Sequence, residues 1–278
     1  MTQALISASE LADALTGEHP PRILDCRARL GDPDAGRQLW QDAHVPGSLH
    51  MDLDRDLAGP PGEGGRHPLP RPEAFTAALQ RLGITPATPV VVYDDMGGQL
   101  AAARAWWMLS CWAGHPDVRV LDGGCQAWSA EGGETASHHA PLVLPEPSRW
   151  QPDYCQDGLV DAERMAAGRD LKLDARSHER YRGEAEPIDP VAGHIPGAIC
   201  RPSATNLDAR GHFKAPDVLA AELPEAESVI TYCGSGITAC HHVLAYAVAG
   251  RPLPRLYPGS WSEWIRDPSR PVATGEDS

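Results

Sequence analysis

The stretch SVITYCGSGITACHHVLAYAVAG, residues 228–250, joins a predicted strand to a predicted helix through a glycine-rich turn. SVITY is short and rich in β-branched residues, which is typical of a buried strand, and the apolar run that follows Thr238 has the length of a helix. In open α/β folds, ligands bind where the carboxyl ends of parallel strands lead into helices. The sequence therefore predicts that Cys233 is displayed at the ligand-binding edge of a sheet.

The residues around Cys233 predict a nucleophile. We expect Gly234 and Gly236 to permit positive φ, so that successive backbone N–H groups converge into an anion-holding nest. The following helix adds the positive end of its dipole. A thiol in such surroundings ionises more readily than a free cysteine. The alternative is a buried structural cysteine that ends a strand; Cys240 fits that description better.

The chain contains the same pattern twice. Asp25 and Asp174 are separated by 149 residues, and three further matched blocks follow in the same order. The first copy has Asp94 where the second has Cys233, so we expect it to be non-catalytic and to serve as a wall of the pocket. The matched blocks are ILDCRARL (23–30) with LKLDARSHERY (171–181), AHVPGSLHMD (43–52) with GHIPGAICRP (193–202), VVVYDDMGG (90–98) with SVITYCGSG (228–236), and VLDGGCQAW (120–128) with LYPGSWSEW (256–264).

Strands alternate with helices in both copies, which predicts an α/β fold: two tandem domains, each a mainly parallel sheet flanked by helices. We expect a non-catalytic domain over residues 1–140, a Pro- and Gly-rich linker over 141–153 and a catalytic domain over 154–278. Helices should occupy residues 72–83, 99–114 and 238–250, each ended by a glycine: Gly83, Gly114 and Gly250.

Composition excludes several classes of function. The formal net charge is −14, which argues against nucleic acid or an anionic membrane as a partner. No apolar run is long enough to span a membrane, and residues 1–20 lack the features of a signal peptide. The seven cysteines include no C-x-x-C pair, which favours reduced thiols in a cytoplasm and predicts neither a metal site nor a cofactor.

Three motifs resemble those of two-domain rhodanese-type sulfurtransferases, and the resemblance extends over about residues 5–270. The loop CGSGITAC (233–240) is similar to the CGSGVTAC loop of 3-mercaptopyruvate sulfurtransferases. WQDAHVPGS (40–48) and YPGSWSEW (257–264) are close to the two terminal signatures of the family. The resemblance implies a ping-pong reaction in which Cys233 takes sulfur from a small anionic donor as a persulfide. A thiol, thioredoxin or cyanide then accepts that sulfur.

The resemblance also implies roles for particular residues. Arg180 would bind the anionic end of the donor, with Arg182 as a secondary candidate and Arg176 paired structurally. The alternative for Arg180 is a salt bridge to Glu184 or Glu186. Asp54 and His67 would form a proton relay with Ser235, or else a hydrogen bond that stabilises a loop. The remaining candidates line the nest around the persulfide: Gly234, Ser235, Gly236, Ile237 and Thr238.

The donor stays open between two anions. The family often has a second substrate arginine before its GHIPG segment, but residues 183–194 contain no basic residue. The loop also lacks the basic CRKG pattern of thiosulfate-preferring rhodaneses, which favours 3-mercaptopyruvate, with thiosulfate as the alternative. A non-catalytic persulfide carrier is a further possibility. A cysteine phosphatase is excluded by Ala239, because its C-x5-R loop needs an arginine there.

Overall fold

The computed structural model describes residues 3–137 and 144–276. The predicted domain boundary at 140/141 and the pair His138-His139 lie outside the described residues. The chain divides into two compact units that interleave along the sequence, so residues 60–69 belong to the second unit. The first unit contains Met1–Gly59, Pro70–Cys155 and Asp208–Phe213, and the second contains Pro60–Leu69, Gln156–Leu207 and Lys214–Ser278.

The first unit is built on a five-stranded sheet in the order β1-β5-β4-β2-β3, in which every neighbouring pair is parallel. A π-helix, Met108–Trp112, extends α4. The strands are β1 (Leu5–Ile6), β2 (Arg22–Asp25), β3 (Leu49–His50), β4 (Val90–Tyr93) and β5 (Val118–Leu121), and the helices are α1 (Ala8–Leu15), α2 (Ala35–Asp42), α3 (Pro72–Arg81), α4 (Ala101–Trp107) and α5 (Gly124–Ala130).

The second unit has a four-stranded, all-parallel sheet in the order β7-β6-β8-β9. A 3-10 helix covers Ser203–Asn206. The strands are β6 (Leu171–Asp174), β7 (Ala198–Cys200), β8 (Val229–Tyr232) and β9 (Arg255–Leu256), and the helices are α6 (Ala162–Ala166), α7 (His178–Arg182), α8 (Pro216–Glu222), α9 (Ala239–Val248) and α10 (Ser260–Trp264).

Each unit has its own apolar core around a fully buried central strand. All four residues of β4 and of β8 are buried, as expected for a parallel sheet covered on both faces. The predicted α/β fold is therefore confirmed. The three predicted glycines follow the ends of their helices at positive φ: Gly83 (+66°), Gly114 (+71°) and Gly250 (+67°). Within the described residues, no helix combines the length and the apolar character needed to cross a membrane.

The repeat is visible as a duplicated buried ion pair at the end of a strand. Asp25 ends β2 and binds Arg27 at 2.6 Å, and Asp174 ends β6 and binds Arg176 at the same distance. Arg176 also donates to the carbonyl oxygen of Gly193 at 2.7 Å. The expected structural role of Arg176 is confirmed, since its side chain is 2% exposed and its donors are directed into the fold.

His242, on α9, is buried beside the 3-10 helix. Its Nε2 lies 2.7 Å from the carbonyl oxygen of Arg201, and its Nδ1 lies 3.2 Å from the side-chain nitrogen of Asn206. These partners fit a neutral ring that donates from Nε2 and accepts at Nδ1. Burial lowers the pKa of His242 to about 4, against an opposing contribution from the Arg201 carbonyl.

This histidine makes stability depend on pH. The unfolded chain binds a proton at His242 near pH 6.5, whereas the folded chain binds it only near pH 4. The stabilisation is therefore complete above pH 6.5 and is lost as the pH falls towards 4. We predict that the free energy of unfolding falls by about 3 kcal/mol more in the wild type than in His242→Gln between pH 7 and 4. Urea unfolding at both pH values measures this difference, and parallel losses in the two proteins would contradict it.

Candidate active site

Cys233 directly follows β8 and lies at the carboxyl edge of the second sheet. Its backbone N–H donates to Ser260 Oγ at 3.1 Å, and its carbonyl oxygen accepts from the Trp261 N–H at 3.0 Å. Ser260 has a φ of +53°, which is strained for a residue with a side chain. The first turn of α10 thus holds the cysteine in place. Only 3% of Cys233 is exposed, so the thiol is less displayed than the sequence suggests.

Gly236 creates the tight turn that carries an N–H group to the thiol. The Gly236 N–H donates to Cys233 Sγ at 3.2 Å. Gly236 has a φ of +78°, and a Cβ atom there would lie 2.1 Å from the carbonyl oxygen of Pro258. Gly234, in contrast, does not have positive φ, and the expectation of one there was wrong. A side chain at position 234 would instead come into tight contact with neighbouring side chains.

Two guanidinium groups lie on the side of Gly234 where a side chain would project. A Cβ atom built on Gly234 would lie 3.2 Å from Arg66 Nη2 and 3.3 Å from Arg180 Nη1. Arg180 was predicted to bind the donor, and it lies beside the cysteine loop. Arg66 comes from residues 60–69, a segment far from the loop in sequence.

Two carboxylates orient these arginines. Glu186 binds Arg180 through Oε1 at 2.7 Å, and Asp189 binds Arg180 Nη2 at 3.1 Å through Oδ2 while its Oδ1 binds Arg66 Nη1. Burial of Glu186 favours its neutral form, but hydrogen bonds from Arg180 and from the Asp189 N–H hold the pKa of Glu186 below its usual value. Arg180 therefore forms the salt bridge to Glu186 that was the alternative to donor binding, and it also lies beside the cysteine loop.

His67 meets the cysteine loop at Ser235. His67 Nδ1 lies 2.8 Å from Ser235 Oγ, and both residues are buried. The segment that carries His67 is fixed to α10, because the Arg66 N–H donates to Ser262 Oγ at 3.0 Å. The structure thus brings two members of the predicted relay into hydrogen-bonding distance.

Of the other predicted residues, two belong to the cysteine loop and two have partners elsewhere. Ile237 is buried in the loop, and Thr238 immediately precedes α9. Arg182 binds Glu276 at 2.6 Å and approaches Glu184 at 3.4 Å, so its guanidinium is directed to other partners than the loop. Asp54 belongs to the first unit, where its backbone N–H donates to Asp52.

The first unit contains a loop that corresponds to the cysteine loop. Asp94 follows β4 and is buried, and four backbone N–H groups donate to its carboxylate. Burial raises the pKa of Asp94, although the N–H groups of Met96, Gly98 and Ala102 oppose the rise. The donors are Met96 and Gly98 at 2.9 and 2.8 Å, and Leu100 and Ala102 at 3.3 and 3.2 Å. This turn therefore directs its backbone N–H groups at its own side chain.

The other six cysteines lie in different surroundings, and all seven are free thiols. Burial, with help from Asp174, raises the pKa of Cys200 to about 12. Burial likewise raises the pKa of Cys111 and of Cys125 to about 11. Within the described residues, no three His, Cys, Asp or Glu side chains are grouped to hold a metal ion.

Sequence reasoning missed Arg66, Asp189 and the structural part played by Ser260, and it named Glu186 only as an alternative partner of Arg180. Residues 183–194 contain no second arginine and supply the acidic partners of Arg180 instead. A signal for Arg66 was present, because it directly precedes His67, itself a predicted site residue.

The geometry defines a class of protein: an α/β enzyme with a thiol that accepts a hydrogen bond from a backbone N–H group, in a loop that lies beside two arginines, as group transfer from an anionic compound requires. The family model for the rhodanese-like domain matches residues 7–131 and 160–267. The chain therefore belongs to the rhodanese family, and it is a sulfurtransferase with two such domains. It acts on a sulfur donor and a sulfur acceptor.

Individual relatives support this assignment. The chain is 46% identical to "Probable 3-mercaptopyruvate sulfurtransferase" of Pseudomonas aeruginosa, with 98% of each chain covered. It is 33% identical to the thiosulfate sulfurtransferase of Rattus norvegicus, over 95% of this chain and 92% of the relative. Its fold matches the solved structure of 3-mercaptopyruvate sulfurtransferase from Leishmania major with a TM-score of 0.84, at 31% identity, over 96% of this chain and 76% of the other.

The close approach of Gly236 to Pro258 leads to a prediction. Gly236→Ala should lower the sulfur-transfer rate by about 100-fold, because displacement of the turn moves the N–H group away from the thiol. Gly250→Ala is the matched control, since Gly250 also has positive φ but no neighbouring atom within 4 Å. It should cost about 1 kcal/mol of stability and leave the rate unchanged. Equal rates for the two variants would contradict the assigned role of Gly236.

Proposed function

We propose that this protein transfers sulfur from 3-mercaptopyruvate to a thiol or cyanide acceptor through a persulfide on Cys233. The observation that carries the proposal is the Gly236 N–H, 3.2 Å from Cys233 Sγ, beside the guanidinium groups of Arg66 and Arg180. Backbone N–H groups stabilise a negative sulfur through hydrogen bonds without transferring a proton to it. The similarity to the Pseudomonas relative at 46% identity supports the choice of donor.

In the first half-reaction, the Cys233 thiolate attacks the sulfur of 3-mercaptopyruvate. The new S–S bond forms as the C–S bond breaks, and the electron pair of the C–S bond leaves with the enolate of pyruvate. The proton of the donor thiol is released from the persulfide and is finally bound at C3 of pyruvate. The products are the persulfide anion and pyruvate, and the total charge is unchanged.

In the second half-reaction, the acceptor attacks the outer sulfur of the persulfide. With cyanide, a C–S bond forms, the S–S bond breaks, and its electron pair returns to Cys233 as a thiolate. The product is thiocyanate. A thiolate acceptor leaves with the sulfur as a new persulfide, and either route regenerates the enzyme without a cofactor.

The contact between Ser235 and His67 favours 3-mercaptopyruvate over thiosulfate. An enolate must gain a proton before it leaves as pyruvate, and a histidine 2.8 Å from the serine of the loop can deliver one. We assign Ser235 and His67 to this proton transfer, and Asp54 stays a predicted third member. Sulfite, the leaving group of thiosulfate, needs no proton.

Thiosulfate is the second candidate donor, and a specific observation supports it. A dianion benefits from two cations, and Arg66 supplies a guanidinium in addition to that of Arg180. A persulfide carrier that receives sulfur from another protein would need neither arginine. The seven free thiols support a reducing compartment such as the cytoplasm, where small thiols and thioredoxin are available as acceptors.

The assignment of His67 predicts a difference between the two donors. His67→Gln should lower kcat with 3-mercaptopyruvate by about 100-fold, through loss of a proton donor, and affect thiosulfate much less. Steady-state rates of pyruvate and thiocyanate formation, with cyanide as the acceptor, measure the difference. Equal losses with both donors would remove His67 from proton transfer.

Two cysteine variants test the proposal as a whole in the same assay. Cys233→Ser should be inactive with either donor. Cys200→Ser should keep the wild-type rates, because a thiol with a pKa of about 12 is not ionised at neutral pH. Turnover by Cys233→Ser would contradict the proposed function.

A further inference from the structure

We infer that Arg66 is a donor-binding residue, which supplies the second guanidinium that residues 183–194 lack. The inference rests on the proposed function and specifies how its site selects an anionic donor. Arg66 reaches the site from the segment of residues 60–69, which lies before the linker in sequence and belongs to the second unit.

The backbone of Arg66 is held firmly. Gly62 and Gly65 exchange two N–H···O hydrogen bonds of 3.0 Å, which close the turn before Arg66. A Cβ atom on Gly65 would lie 2.7 Å from Ser262 Oγ, so this turn packs closely on the segment after β9. The Arg66 N–H also donates to Ser262 Oγ at 3.0 Å. The position of Arg66 is therefore set by the same segment that holds Cys233.

The side chain of Arg66 is directed by Asp189. Nη1 binds Asp189 Oδ1, and Nη2 lies 3.2 Å from the Cβ position of Gly234. Arg180 Nη2 binds the two carboxylates, and Nη1 and Nη2 of Arg180 lie 3.3 and 3.4 Å from the same Cβ position. Both guanidinium groups therefore lie beside the cysteine loop. Both side chains are partly exposed, 26% for Arg66 and 17% for Arg180, so an anion can reach them.

Arg66 offsets the surplus negative charge that the two carboxylates place around Arg180. Arg180 alone would face Glu186 and Asp189, a net charge of −1 that repels an anionic donor. Arg176 also approaches Glu186, at 3.4 Å, but its own charge is matched by Asp174. Arg66 brings the cluster to neutrality, and the N–H groups of two planar forks can then bind carboxylate or thiosulfonate oxygens.

The test compares Arg66→Ala with the wild type, using 3-mercaptopyruvate and its methyl ester, with cyanide as the acceptor. The ester keeps the sulfur and removes the anionic end. For the acid, Arg66→Ala should lower kcat/KM by about 10- to 100-fold, mainly through KM, as expected for the loss of a charged hydrogen bond. For the ester, the two proteins should agree within about threefold. Arg66→Lys keeps the charge without the fork and should lie between them for the acid.

Arg255→Ala is the matched control. Arg255 lies at the start of β9 and shares Asp170 with Arg164, as Arg66 shares Asp189 with Arg180. Its loss also leaves a carboxylate with one remaining arginine, but it should not change KM for the acid. Equal losses with acid and ester in Arg66→Ala would overturn the inference and leave the proposed function intact. Failure of the wild type to turn over the acid would instead overturn the proposed function, and the inference with it.

Discussion

The hydrogen bond from the Gly236 N–H to Cys233 Sγ depends on a turn that only glycine can make. Gly236 must adopt positive φ, and the Pro258 carbonyl oxygen leaves no room for a side chain there. The turn after β9 and the turn after β8 therefore form one structural element. In the corresponding turn of the first unit, backbone N–H groups also donate to the residue that follows the strand, but that residue is Asp94 and not a cysteine. One copy binds its own carboxylate, and the other offers a thiol.

The arginine and carboxylate cluster reconciles an acidic protein with an anionic substrate. A net charge of −14 does not decide the local potential, since distant surface charges are screened over about 8 to 10 Å in physiological salt. The nearby groups decide it. Glu186 and Asp189 orient Arg180 at the cost of surplus negative charge, and Arg66 compensates for that charge. The cluster thus orients Arg180 and has no net charge.

Much of the fold could be predicted from the sequence, because the repeat and the alternation of apolar strands with helices are local patterns. The position of Cys233 followed from the glycine-rich turn between a strand and a helix, and the contact between His67 and Ser235 followed from motif resemblance. Arg66 was missed although it directly precedes His67, because no motif of the sequence links it to Asp189, which lies more than 100 residues away. The φ of Gly234 was also missed, since a sequence does not show which of two nearby glycines adopts positive φ.

The central claim is that sulfur is carried covalently on Cys233. Intact-protein mass spectrometry after one equivalent of 3-mercaptopyruvate, without acceptor, tests it most directly. The account predicts a gain equal to one sulfur atom, which peptide fragmentation assigns to Cys233 rather than Cys240, and which cyanide removes as thiocyanate. Sulfur bound to another cysteine, or an unmodified protein that nevertheless turns over the donor, would contradict it.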